Sequence, residues 1–516
     1  MSPSKKSSRA TSEKAERRAA PSNAAALSVV PTGPATGVLY VAERSPVRVF
    51  GVDSIRKSFG EETLRQAVNA RRAPGVVDVV LNPDAHVGYG APIGCVMVSP
   101  THIYPGPVGV DINCSMSLLQ FDLDSNAIAD KRLRRALIDA IERRVPTGAG
   151  YRQAPLGRKI PLETIERGLV EGATAEICAL LDVNPNWANR LEDATRLGSD
   201  GTTESLAKRL AVVKRSGTVK NYAAKLAQLG SYGGGNHFGE CEVVRFSDAE
   251  KRNPTVARTF GLVDGGVAFL SHCGSRGFGN ELARAQFATL QRKFETWGTP
   301  FPSGDKQLVY APLGTPEAND YLDDITLGAN FATLNHLVIN SLVAEAFAEI
   351  LPGVDARFVY FVSHNFARRE ILDGAPVYVH RKGATRAYPA NHFALKETPF
   401  ATTGHPILLP GNPTQGSSVM VALDGAKASC YSVNHGAGRA LGRREATRTL
   451  DQKQIDAQFA DADILTNCRQ YPKDEAPAAY KDFNEVLRSV EEAGLAREVA
   501  RLKAAFVIKD ADKADD

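Results

Sequence analysis

In the stretch GPVGVDINCSM, residues 106–116, an aspartate and a cysteine, Asp111 and Cys114, stand three residues apart in a run otherwise made of Gly, Val and Ile. A buried strand has a use for the Val and Ile but little for an acid at its middle. Four histidines stand in settings much like one another, an apolar run and then His beside Gly, Asn or Ser. They are His237 in GGGNHFGE, His272 in VAFLSHCGSRGFG, His364 in VYFVSHNFARRE and His435 in YSVNHGAGRALGRRE. LNPDAHVGYGAPIG adds Asp84 and His86. Any one of these histidines, taken singly, reads as a core or capping residue. Four at strand ends, together with Asp-x-x-Cys, read otherwise, because strand ends converge on one rim of a sheet, where sites are built.

Imidazole, thiolate and carboxylate make a mixed N, S and O donor set suited to a divalent transition metal. A structural zinc site would use four ligands at short paired spacing. Here the donors are scattered along the chain, which suits a catalytic centre better. A thiolate has lone pairs enough to bridge two ions, and a two-metal clamp stabilises charge on a phosphoryl group. The plainer alternatives are a buried free cysteine and an N-cap aspartate.

Glycine clusters are the second signal. GSYGGGNHFGE, GSRGFG, LPGNPTQGSS and NHGAGR allow close backbone approach and present N–H groups to anions, although none is a Walker A loop. HRKGATRA (380–387) and GRALGRRE (438–445) offer cations for phosphate; each alone reads as solvated surface charge.

The elements that must position these residues follow from the pattern. From GVLYVAE to about Phe121 the pattern is strand and turn, with GVVDVVLNPD, IGCVMVS, VGVDINC and MSLLQFDL as strands punctuated by Gly and Pro; RFVYFVSH, PVYVHR, ILLPG and SVMVAL read as later strands. DKRLRRALIDAIERRV and PLETIERGLVEGATAEICALL have helical spacing, a long helix is expected over about 316–350, and a last helix over FNEVLRSVEEAGLAREVARLKAAF. Strands and helices mix without regular alternation. The fold class is α+β, mixed sheets flanked by helices with the active site at the strand ends.

Composition excludes some classes. The chain has 516 residues, 43% hydrophobic and 23% charged, with net charge +4. Six basic and two acidic residues between Met1 and Arg18 account for that surplus, so the remainder is near neutral. Residues 1–45 read as a disordered basic arm and 46–516 as a single catalytic domain. Seven cysteines, an odd number without CxxC, fit a reducing compartment, and a cytoplasmic location is expected. No run of eighteen apolar residues occurs, so no membrane span is expected.

In that order, NPDAHVGYGAPIG, VGVDINC, GGNHFGE, SHCGSRGFG, SHNFA, HRKGATRA and NHGAGR resemble the motifs of the RtcB RNA ligases, from about residue 46 to the end. The resemblance implies an enzyme that joins an RNA 3′-phosphate or 2′,3′-cyclic phosphate to a 5′-hydroxyl. It implies GTP as co-substrate, two Mn²⁺ ions, a histidine-GMP intermediate and an RNA-(3′)pp(5′)G intermediate, a role in tRNA splicing or RNA repair, and an archease-type activator as a possible partner. Carried over by motif, Asp111, Cys114, His237, His272 and His364 are the metal ligands, with Cys114 bridging. His435 is the nucleophile. The guanylate pocket comprises Asn236, His237, Phe238, Gly239, Glu240, His364, Asn365, Pro410, Gly411, Asn412, Pro413, Ser417, the run His435, Gly436, Ala437 and Gly438, and Lys509 in FVIKD. The chain departs from the family with PGNP at 410–413 in place of PGSM, and with Pro107 in GPVG in place of GGVG. Two other readings stand beside this one. A metal-dependent phosphoesterase would share the metal ligands but have no use for His435. A catalytically inactive RNA-binding paralogue would have its hint in Asn412 and Pro413.

Overall fold

The computed structural model describes residues 27–148, 155–193 and 202–510. Near the N-terminus, alternation of apolar and polar residues sets the first strands. In Thr36–Val41 every second side chain is buried, and Leu39, Val41, Val47 and Val49 pack under the helix Glu61–Arg72. These strands open a seven-stranded sheet in the order Val30–Gly33, Thr36–Val41, Arg44–Phe50, Asp78–His86, Ile93–Ser99, Ala375–Lys382, Asn365–Leu372. Only Arg44–Phe50 and Asp78–His86 run parallel within it. The expected boundary of the arm at residue 45 is therefore corrected. Thr36–Val41 is a strand because its apolar face has a core to bury against, and the largely exposed Val30–Gly33 pairs along its edge; residues 1–26 lie outside the described residues.

A second sheet runs Ala356–Ser363, Ser115–Asp124, Gly266–Cys273, Phe238–Phe246, Ala496–Lys509, Gly416–Ala422, Pro406–Asn412. At one crossing the chain passes between the two sheets through a single residue. Ala356–Ser363 ends in the second sheet, Asn365–Leu372 begins in the first, and His364 lies between. The Asp111–Cys114 segment is stapled to that seam: the His364 N–H donates to the Cys114 carbonyl at 2.9 Å, and the Asn113 N–H to the Asn365 carbonyl at 2.8 Å. This segment is a turn, not the strand expected of VGVDINC. Gly109 (φ 95°) and Asn113 (φ 56°) take left-handed conformations that interrupt any ladder, and the Cys114 N–H closes onto the Asp111 carbonyl at 3.2 Å.

Helices pack outside the sheets. The long one, Pro316–Ile350, starts where the Thr315 hydroxyl accepts from the Ala318 N–H and Pro316 occupies the first turn. It is long and apolar enough to cross a membrane, but 78% of its most apolar window is buried among neighbouring elements, as befits a core helix. Three expectations are corrected. PLETIERGLVEGATAEICALL is two helices, Leu162–Glu171 and Ala175–Leu180, broken at Gly172 (φ 73°). EETLRQAVNARR, read as strand and turn, is the helix Glu61–Arg72. The last helix stops at Glu492, and Ala496–Lys509 is a fourteen-residue strand inside the second sheet, after a turn at Gly494 (φ 68°).

Candidate active site

The four histidines lie where strands begin or end. His237 precedes the strand Phe238–Phe246, His272 is the penultimate residue of Gly266–Cys273, His364 is the seam residue, and His435 follows Ser432–Asn434. Backbone carbonyls orient two of them. Nδ1 of His237 donates to the Tyr232 carbonyl at 2.9 Å and Nδ1 of His272 to the Asn236 carbonyl at 3.0 Å. Each Nε2 is thereby left with its lone pair facing inward. The Cys114 Sγ lies 3.5 Å from Nε2 of His237 and 3.2 Å from Nε2 of His272. Asp111 Oδ2 is 3.0 Å from His237 Nε2, and His364 Nε2 is 3.4 Å from His272 Nε2. The donor atoms of Cys114, His237 and His272 all fall within 4.8 Å of one another.

Electrostatics make the same point. Burial, with the neighbouring histidines, pushes His272 and His364 well below the ordinary imidazole range, so both are neutral. Burial, with the Asp111 carboxylate beside it, pushes the Cys114 thiol well up. Burial would raise Asp111 too, but its contacts with His237, Cys114 and Arg276 prevail and hold it low. Imidazole nitrogens and a thiol thus converge beside one carboxylate. A divalent cation would favour the Cys114 thiolate there, and the donor set fits one.

His435 is held by Asp84. One carboxylate oxygen, Oδ2, lies 2.5 Å from the His435 Nδ1 and also accepts the His435 backbone N–H at 3.1 Å. The close packing requires Gly438 (φ 74°), because a Cβ there would fall 2.3 Å from the Asp84 carbonyl oxygen. Lys481 fixes the Asp84 segment from behind, donating to the carbonyls of Pro83 at 3.1 Å and Ala85 at 2.8 Å. The His435 ring centre is 5.0 Å from that of His364. Asp111, Cys114, Asn236, His364, Lys382 and His435 line one cavity of about 580 Å³.

A narrower pocket adjoins it, sharing Asn236 and lined further by Phe238, Glu240, Asn412, Pro413, Glu475 and Lys509. The buried Lys509 ammonium donates to the carbonyls of Gly235 at 2.9 Å and His237 at 3.3 Å, and pairs with Glu475 at 3.2 Å. Glu475 also accepts from Arg443 at 2.8 Å and from the Tyr480 hydroxyl at 2.7 Å. Asn412 closes its own turn, donating to the Gln415 side chain at 2.7 Å and accepting the Gln415 N–H at 3.1 Å.

A family model described as tRNA-splicing ligase RtcB matches residues 66–510. The chain is 32% identical to the tRNA-splicing ligase RtcB of Thermococcus kodakarensis and 33% identical to that of Pyrobaculum aerophilum, covering 90% of this chain and 95% of each relative. It is 33% identical to the RNA-splicing ligase RtcB of Mycobacterium bovis, over 85% of this chain and 98% of that one.

The chain belongs to the RtcB family.

Set against the residues expected from the RtcB motifs, the structure brings Asp111, Cys114, His237, His272 and His364 together and places His435 beside them. Asn365 lines the cavity, and Gly411 lines the narrower pocket. The Pro410 carbonyl accepts the Ala437 N–H at 3.1 Å and faces Gly436. Two residues are placed differently. Gly239 faces the other side of its strand, where a Cβ would meet Tyr232 and Phe269. Ser417 lies buried beneath the pocket rather than in its lining. The basic motifs also resolve. Arg381 pairs with Glu370, Arg386 with Glu192 and Asp193, and Arg439 and Arg443 with Glu475, so these are internal ion pairs, while Lys382 faces the cavity. Glu192 has a further task. The Ser363 N–H and hydroxyl both donate to it, at 3.0 and 2.6 Å, one residue before His364. Glu192 and Glu475 had no sequence signal of their own, since each lies in a loop-like stretch far along the chain from its partners.

Proposed function

We propose that this chain, an RNA ligase of the RtcB family, joins RNA 3′-phosphate or 2′,3′-cyclic phosphate ends to 5′-hydroxyl ends, with GTP as co-substrate and His435 as the covalent carrier of GMP. What supports the reading most is one relationship: a histidine fixed by a carboxylate through Nδ1, facing a set of metal donors across a single cavity.

The chemistry follows from the tautomer. With its Nδ1–H given to Asp84, His435 keeps the Nε2 lone pair for the α-phosphorus of GTP. A P–N bond forms, pyrophosphate leaves, and the ring becomes cationic. Asp84 then faces a full positive charge, which it stabilises as in other carboxylate–histidine pairs. An oxygen of the RNA 3′-phosphate attacks the same phosphorus, breaks the P–N bond and restores neutral His435. The product is a 3′ end capped with GMP through a pyrophosphate link. The 5′-hydroxyl then attacks the RNA phosphorus and GMP leaves. A 2′,3′-cyclic phosphate needs opening by water first. Two divalent cations, Mn²⁺ in this reading, would be held by Asp111, Cys114, His237, His272 and His364 and would offset charge on the phosphoryl oxygens. The adjoining pocket, with Glu240 and Lys509, takes the base.

The test is incubation of the chain with GTP labelled at the α-phosphorus and Mn²⁺, followed by denaturation and peptide mapping. Covalent label on the NHGAGR peptide is expected. No covalent label on wild type would return the chain to phosphate-ester hydrolysis or RNA binding alone.

A further inference from the structure

Behind the narrower pocket lies a group of buried polar side chains. Along the strand Phe238–Phe246, alternation puts Phe238, Glu240 and Glu242 on one face. Phe238 and Glu240 line the pocket, and Glu242 is the next residue inward. Glu242 is fully buried, with 0% exposure. The Ser417 hydroxyl lies beside the Glu242 carboxyl, but among the described residues neither group makes a hydrogen bond of good geometry, and Glu240 Oε1 has no partner either.

The sheet register explains why they meet. Glu242 pairs with Ala268 on one neighbouring strand and Ala504 on the other. Ser417 pairs with Leu502, two residues before Ala504, on the strand beyond. Small side chains flank Glu242 on both sides, so the space is filled by carboxyl and hydroxyl groups instead. Lys509, the cation nearest Glu240, is already committed to Glu475. Burial raises both carboxyl groups, Glu240 to about 8 and Glu242, with Glu240 next to it, well above the ordinary carboxyl range. A protonated carboxyl has one O–H to give and a carbonyl oxygen to accept with, as a glutamine side chain has an N–H and an oxygen.

We propose that Glu242, with Ser417, is the polar floor of the base pocket, positioning the Glu240 carboxyl group where it meets a base edge with adjacent N–H donors, as guanine presents. This rests on the guanylate reading of the pocket given above. Glu242 acts through Glu240 and is a positioning residue. It sets which base is accepted and leaves the chemistry at His435 unchanged.

The experiment compares full-length wild type, Glu242→Gln and Glu242→Leu. Kd values for GTP and ATP are measured by titration with Mn²⁺ present, alongside KM and kcat for GMP labelling and the thermal midpoint. Glu242→Gln keeps a neutral donor and acceptor, so its GTP affinity and its preference over ATP should stay within about twofold of wild type. Glu242→Leu should weaken GTP about tenfold in Kd and KM and cut the preference over ATP by about the same factor, with kcat unchanged. Its midpoint should hold or rise, since a buried unpaired acid has been replaced by an apolar group. A purely structural Glu242 would move the midpoint and leave the GTP-to-ATP ratio alone. That result overturns the inference, as does a Gln variant that behaves like Leu. If wild type prefers GTP in titration but takes no covalent label, the proposed reaction fails while the pocket assignment stands. If wild type shows no preference between GTP and ATP, the pocket assignment fails.

Discussion

The Asp84 carboxylate sits 2.5 Å from Nδ1 of His435 and accepts that residue's backbone N–H through the same oxygen. Two bonds to one oxygen fix both the ring's tautomer and its position. Asp84→Asn keeps the size but offers a donor as readily as an acceptor, so Nδ1 can lose its proton and Nε2 its lone pair. GMP labelling should fall by as much as about 10⁴-fold, the loss seen when the carboxylate behind a protease's catalytic histidine is made neutral. Bound metal should not change, because Asp84 contacts none of the donor atoms. Measuring label and metal content in one sample checks both halves. A labelling rate within a few-fold of wild type would mean the ring needs no such support.

Cys114 lies within bonding reach of two imidazoles at 3.5 and 3.2 Å, so removing it removes the atom they share. Cys114→Ala should lose GMP labelling altogether and bind fewer ions per chain, by elemental analysis, at every Mn²⁺ concentration tested. Its fold should survive, since the loss of one small buried side chain costs roughly 1–2 kcal/mol. Labelling at the wild-type rate would exclude a shared thiolate ligand.

Much of this site is legible in the sequence because each donor comes with its own local signature. Cys114 has the Gly- and Asn-bearing turn before it, and His272 and His364 have strands whose Val, Phe and Leu announce themselves. What is not legible is what lies opposite. Ala496–Lys509 has the Ala, Arg, Glu and Lys of a helix, yet it is a strand because partners on both sides complete its ladder. Glu61–Arg72 is hidden by the strands around it. The ion pairs of Arg386 with Glu192 and of Lys509 with Glu475 span long stretches of chain and exist only once the sheets are assembled. The turn at Asp111–Cys114 reads as strand from its Val and Ile, and only left-handed Gly109 and Asn113 make it a turn.

Two histidines away from the site give the protein an acid limit. His380 donates from Nδ1 to the Met97 carbonyl at 3.1 Å and accepts the Tyr104 N–H at Nε2, 3.0 Å; His405 bridges the Pro406 carbonyl and the Tyr388 N–H in the same way. Burial lowers each from 6.5 to about 4. A folded pKa below the unfolded one means that above pH 6.5 neither state takes the proton and nothing is lost. As pH falls from 6.5 towards 4, only the unfolded chain takes it, and stability drops. Each histidine should cost on the order of 2 kcal/mol by pH 5. His380→Gln, which keeps a donor and an acceptor, should lose correspondingly less between pH 7 and pH 5 in urea titrations. Equal losses in variant and wild type would place the acid sensitivity elsewhere.

Apart from the proposed metal donors, the cavity holds two side chains able to attack phosphorus, and the choice between them is the sharpest test of the mechanism. Lys382 faces the cavity, and burial lowers it to about 7, so a good fraction is neutral at physiological pH. Its ammonium, however, donates to the carbonyls of Tyr89 and Gly106, which tie it to the wall. His435 is backed by Asp84 and followed by Gly436 and Gly438, which let the backbone come close to a phosphate. His435→Ala should therefore lose both GMP labelling and the joining of a 3′-phosphate end. It should keep its metal, since Asp111, Cys114, His237, His272 and His364 remain. It should also still seal an RNA whose 3′ end already bears GMP, because that substrate enters after the histidine has finished its work. Lys382→Met, by contrast, should slow labelling without abolishing it. Label mapped to Lys382, or a His435→Ala variant that still takes label, would move the covalent step off the histidine and leave Asp84 without a catalytic purpose.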